Sequence, residues 1–218
     1  MIEHLTSPWI AAAGFQGASP SIVKSVKQLD LLNIWLRAFA KRRALPHLED
    51  YRPDRITDEL PDLMIFAVVG EGNHARFFIT HEGTRLTSIY GSEHIEPDKR
   101  INRYLDDAVG PTRYRRVVPF YRACLATGRP TYSISMVRDA DGKEVSYERL
   151  LLPFGGATAI DHIVGSYKAI SIEGDFKIRD LMGARADHEP VSVLSAVIDR
   201  EIVRGNPSDR IADDLEFS

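Results

Sequence analysis

Apolar positions first settle into a helical period after Ser19-Pro20, where a serine N-cap precedes a proline suited to the first helical position. The pattern predicts a helix from about Pro20 to Arg42, stopped by Pro46. Leu32, Trp35, Leu36 and Phe39 form one stripe, with Leu31, Ile34 and Ala38 beside it. A stripe this broad serves either packing across the helix's own domain or contact with a second subunit. Residues 1 to 18, rich in Gly, Ala and Ser, show no sustained period and read as a loose arm.

Two strands follow, Asp62 to Val69 and Ala75 to Thr80, joined by the turn Gly70-Glu71-Gly72-Asn73. Leu86, Ile89 and Tyr90 then recur at helical spacing before a capping Gly91, and Ile101 to Val109 reads as a short helix or turn. Thr112 to Thr127 is a helix by the spacing of Val117, Phe120, Tyr121 and Cys124, with a break expected at Pro119 and an end at Gly128. From Thr131 the period becomes two. TYSISMVR, an Asp-Ala-Asp-Gly turn and KEVSYERLLLPF predict a hairpin, and His162 to Ser171 a last strand. Residues 173 to 218 hold eleven acidic side chains against six basic ones. There, Val191, Leu194, Val197, Ile198 and Ile202 suggest an amphipathic helix from Glu189 to Val203.

The predicted fold is α+β, with an antiparallel sheet of about five strands covered on one face, a long N-terminal helix and a C-terminal helical extension. Three segments result: 1–28 as arm and helix start, 29–172 as the domain, and 173–218 as an acidic extension.

Composition narrows the function classes. The formal net charge of −3 offers no attraction for nucleic acid or an anionic membrane. A single cysteine, Cys124, excludes an internal disulfide and favours a reducing cytoplasm. The longest apolar run, Leu63 to Val69, is far below the roughly 18 residues that span a bilayer.

Leu31-Leu32-Asn33-Ile34-Trp35, Leu45-Pro46, Asp54-Arg55-Ile56, Arg76-Phe77-Phe78-Ile79 and Gly83-Thr84-Arg85-Leu86 with Tyr90-Gly91 follow one another along the chain. Thr127-Gly128-Arg129-Pro130 and Tyr147-Glu148-Arg149-Leu150-Leu151-Leu152-Pro153 complete the series, over residues 29 to 172. In these segments the chain resembles PAS domains, and is similar to the PAS-like family of alphaproteobacterial stand-alone proteins. The chain departs from the pattern at Ile79-Thr80-His81-Glu82, where the family has a basic residue and a short apolar stretch. The resemblance implies five antiparallel strands and a few short helices enclosing a small cavity, in a cytoplasmic, often dimeric, non-catalytic sensor. Phe78, Tyr90, Tyr121, Met136, Tyr147 and Arg149 then become the ligand-binding candidates. A homodimer through the Trp35 helix is expected, with a small-molecule ligand or a signalling partner and no nucleic acid or membrane.

No cofactor is named by the residues. A haem-binding PAS domain needs an axial histidine on a cavity-facing helix, and none is evident. A LOV-type flavin sensor needs a reactive cysteine before Arg-Phe-Leu-Gln, whereas Cys124 sits in Arg122-Ala123-Cys124-Leu125-Ala126 and reads as a small buried hydrophobe. His74, His81, His94 and His162 are scattered, without metal-ligand spacing. Neither a P-loop nor GxGxxG occurs. Arg113-Tyr114-Arg115-Arg116, with Arg122 beyond, is either a solvated helix start or a hold for a phosphate-bearing ligand or acidic segment.

Adjacent strand residues point to opposite faces, so Glu148 and Arg149 do not form one dyad. Tyr147 and Arg149 share a face; Glu148 needs a cross-strand cation or a solvated edge. Two other readings remain. One is an enzyme on a cone-shaped, ketosteroid-isomerase-like fold, with His81, Glu82 or Glu148 as base. The other is a scaffold that only binds proteins.

Overall fold

Residues 14–53, 56–90, 95–96, 99–156, 159–179, 181–182 and 190–200 are described by a computed structural model. The expected Gly91 cap, His94, Ile202 and the acidic end of the chain lie outside them.

Ser19 caps a short 3-10 turn over Pro20–Ile22, its side chain accepting from the Ser21 N–H. The long helix α1 begins later than the proline suggested, at Val26–Arg42, because Ser25 supplies a second cap to the Gln28 N–H. Arg43 closes it in the left-handed conformation. After the single turn α2 (Ile56–Glu59) come strands β2 (Leu63–Val69) and β3 (Arg76–Glu82), then helices α3 (Thr84–Tyr90) and α4 (Leu105–Thr127). Helix α4 breaks at Gly110, not at the expected Pro119. Gly110 has φ +71°, a region open chiefly to glycine, and Pro111 starts the next turn. The strands β4 (Thr131–Arg138), β5 (Glu144–Gly155) and β6 (Ile160–Ile170) complete the expected order. Asp139 fixes the β4–β5 turn, one carboxylate oxygen accepting from the Asp141 and Lys143 N–H groups.

Among the described residues the sheet has seven strands rather than about five. Two further strands, β1 (Gln16–Ala18) and β7 (Val191–Ile198), extend it at the β4 edge. Its order is β1-β7-β4-β5-β6-β2-β3, antiparallel except for the β1–β7 pair. The amphipathic helix expected from Glu189 is therefore a strand. Valines at 191, 193 and 197 suit a pleated surface better than a helix, and the open edge of β4 gives their backbone a partner. Gln16–Ala18, read as part of a loose arm, pair with Ala196–Ile198.

Both faces of the sheet are covered, where one was expected. Helices α3 and α4 lie over one face, with Phe66, Phe77, Ile79, Tyr121, Leu151 and Ile163 in the core beneath them. Helix α1 crosses the other, burying Leu32, Trp35 and Leu36 against Tyr132, Leu152 and Phe154. Double coverage explains why β5 is almost continuously buried from Val145 to Gly155 and why its alternation gives way to the apolar run Leu150-Leu151-Leu152-Pro153-Phe154. The Trp35 stripe is used within the chain, so a second subunit would have to meet other surfaces.

Pro153 lies inside β5, a position normally closed to proline. Strand β4 ends opposite Leu151, so no β4 residue pairs with Pro153, and its carbonyl accepts from the Trp35 indole N–H at 2.7 Å. Among the described residues Glu148 has neither the cation partner nor the solvated edge expected of it. Its buried carboxylate accepts from the Tyr132 hydroxyl at 2.7 Å and the Ser25 N–H at 3.2 Å. Lys168, opposite Glu148 on β6, instead pairs with Glu59 at 2.6 Å and with Asp62.

Candidate functional site

Pleat geometry selects which side chains meet beneath α3 and α4. On β5, Tyr147, Arg149 and Leu151 face the helices, while Glu148, Leu150 and Leu152 face α1. On β6, Ile163 and Tyr167 face the helices and Val164 faces α1. Tyr121 descends from α4 and Tyr90 from the end of α3. Four phenols and one guanidinium therefore converge on one spot.

The hydroxyls pair off. Tyr90 and Tyr147 lie 2.6 Å apart, oxygen to oxygen, and Tyr121 and Tyr167 lie 2.7 Å apart. Tyr147 and Tyr167 stack with their planes 29° apart. Burial pushes the hydroxyls of Tyr121, Tyr147 and Tyr167 above their ordinary value, so all three stay protonated. Arg149 lies among them at 6% exposure, its guanidinium carbon 4.8 Å from the Phe120 ring centre and 5.9 Å from that of Tyr167. Its Nε has no hydrogen-bond partner among the described residues, and no carboxylate there pairs with it.

A cavity of about 20 Å³ opens among these side chains, lined by Tyr90, Tyr121, Tyr167, Arg100, Arg113 and Arg149 with apolar groups between. Arg100 forms a buried pair with Glu82, Nη2 to Oε1 at 2.7 Å and Nε donating to Oε2 at 3.0 Å. Burial raises the Glu82 carboxyl pKa, against the opposing effect of Arg100. Arg113 donates to the Met182 carbonyl and covers the Tyr90 ring.

Of the six ligand-binding candidates, Tyr90, Tyr121, Tyr147 and Arg149 come together here. Two do not. Met136 belongs to the face turned toward α1, level with Tyr132 and Ile134 along β4, and its sulfur accepts from Ser146. Phe78 points away from Phe77 and Ile79 and packs edge-on against Tyr104. Tyr167 and Arg100 escaped the sequence reading. A signal for Tyr167 was present: Gly165 precedes it by two on the same face. A Cβ on Gly165 would stand 2.6 Å from the Tyr167 hydroxyl oxygen, so the ring folds back over the glycine. Gly165→Ala is expected to cost about 1–3 kcal/mol by overpacking. Urea unfolding would measure the loss, and near-ultraviolet circular dichroism would report the displaced ring. Unchanged stability and spectrum would mean that Tyr167 steps aside freely.

The bases of the enzyme reading do not converge. His81 approaches the Leu60 carbonyl, Glu82 is tied to Arg100, and Glu148 lies across the sheet. Cys124 is buried in the core, which pushes its thiol pKa up. Among the described residues no three His, Cys, Asp or Glu side chains group as a metal site requires, and no helix is long and apolar enough to cross a membrane. Of the basic cluster at the start of α4, Arg113 reaches the cavity, while Arg122 donates to the Gly72 carbonyl at 2.7 Å.

No family model matches the chain, and no curated protein matches it. Among solved structures, that of an RsLOV variant is 14% identical, with 70% of this chain and 73% of that chain covered and a TM-score of 0.34. A likeness at that level carries no argument about this chain.

Proposed function

We infer that this protein is a non-catalytic sensory domain of PAS-like type, taking a small ligand into the cavity beneath α3 and α4. One observation carries the reading. A buried guanidinium with no carboxylate partner among the described residues faces a small cavity in the core, while the residues a general base would come from lie elsewhere. The element order supports it too: two strands, helices, then three strands, joined in antiparallel pairs from β3 to β4. Helices α3 and α4 are the elements a ligand would bias, because they close the cavity against the sheet. Dimerisation belongs to the same reading and would use surfaces other than the Trp35 stripe.

The test is native mass spectrometry of the purified chain, joined to small-angle scattering. A bound small molecule, or a dimer whose shape changes with ligand, is the expected result. A strict monomer whose core stays ligand-free through a metabolite screen would overturn it.

A further inference from the structure

We propose that the cavity beneath α3 and α4 is an anion site, built for a small oxyanion or carboxylate held by Arg149. The inference rests on the ligand-binding reading above and names the chemistry of the ligand.

The donor inventory of the site is one-sided. A guanidinium carries five N–H donors and no acceptor. Each tyrosine pair spends one O–H within the pair and has one left to give, so the two pairs present two further donors. Among the described residues three arginines line the cavity and no acidic side chain does. Glu82 balances Arg100 from outside that lining. Arg149 has no carboxylate partner among the described residues, and a buried unpaired charge is among the costliest things a core can hold. Ring faces of Phe120 and Tyr167 offset part of that cost, but they offer no acceptor lone pair to Nε. An anion would supply both the charge and the acceptors. The planar fork of arginine matches a carboxylate or nitrate edge-on.

Size limits the class. About 20 Å³ accommodates one or two water-sized groups, which suits formate, nitrate or the carboxylate end of a slender acid. Larger polyanions would not fit without displacing α4.

The experiment titrates sodium formate and sodium nitrate into the full chain in chloride-free buffer, followed by calorimetry and thermal unfolding. Saturable binding to the wild type is expected. At a hundredfold excess over Kd the unfolding midpoint should rise by roughly 5–10 °C. Arg149→Met should weaken binding at least tenfold while leaving the anion-free protein as stable as the wild type or more so, since the unpaired charge is gone. Arg149→Lys keeps charge without the fork and guards against a Met variant that fails to fold; it should bind with intermediate affinity. Equal midpoint shifts in wild type and both variants, a bulk salt effect, would overturn the anion site. So would saturable binding of a neutral molecule to the same cavity with no anion response, and the sensory reading would then survive. Absence of any saturable ligand, anionic or neutral, would sink both.

Discussion

Trp35→Ala is expected to lower the unfolding free energy by about 3–5 kcal/mol, the range for deleting a large buried aromatic. The indole is fully buried, stacks on Phe39 with planes 8° apart, and donates to the Pro153 carbonyl. Alanine would leave a cavity between α1 and the sheet, and a central-strand carbonyl without its donor. Trp35→Phe separates the two effects, keeping most of the packing while losing the N–H, and should cost about 1–3 kcal/mol. Urea unfolding of the three proteins measures both differences. If Trp35→Ala cost under about 1 kcal/mol, helix α1 would not be anchored to the sheet at this point, and the stripe would be free for a second subunit.

Lys168→Met should be comparably damaging near neutral pH, and its effect should depend on pH. Lys168, 10% exposed, pairs with Glu59 and Asp62, whose side chains are 6% and 1% exposed. Lys27 and Arg85 reach the same carboxylates from the surface. Removing the buried partner leaves the two carboxylates with Lys27 and Arg85 alone, cations exposed to solvent, a change that costs up to about 3–5 kcal/mol by comparison with fully stranded buried charges. Burial alone would raise the Glu59 carboxyl pKa, but hydrogen bonds and charge from Lys168 and Lys27 outweigh it and hold it below its ordinary value. A carboxyl lowered in the folded state stabilises the fold above its unfolded pKa of about 4.3, and that stability drains away as pH falls through the folded value. In the variant only Lys27 opposes burial, so the Glu59 carboxyl pKa rises from its wild-type position. The gap between wild type and Lys168→Met should therefore be widest at pH 7.5 and narrow toward pH 5. Urea midpoints at both values test it, and a gap independent of pH would assign the loss to packing alone.

Gly165→Ala and the anion titration probe the other face of the sheet. These two are coupled through Tyr167, which lines the cavity, whereas Trp35→Ala acts across the sheet and its effect should add to theirs. Lys168 is the exception, because Tyr167 is its neighbour in β6.

Local sequence settled much of this protein. The two strand groups, the hairpin turned at Asp139 and Gly142, the helix before Gly91 and the stripe on Trp35 all follow from period, turn chemistry and capping. Those signals act over a few residues. The separation of Glu148 from Arg149 was equally legible, since a strand's pleat is a property of its backbone.

What required the tertiary structure was everything set by distant partners. Val191–Ile198 carries apolar spacing compatible with a helix or a strand, and only the unpaired edge of β4 decides for the strand. Coverage of both sheet faces depends on α1 folding back across β5, which no short window records. Met136 was misplaced because the sheet face that a strand turns toward α1 is a matter of register. Arg149 and Tyr167 lie on different strands, and the hydroxyl pairs join α3 to β5 and α4 to β6. The chain therefore encodes its elements locally. Its cavity exists only where α3, α4 and strands β2, β3, β5 and β6 meet.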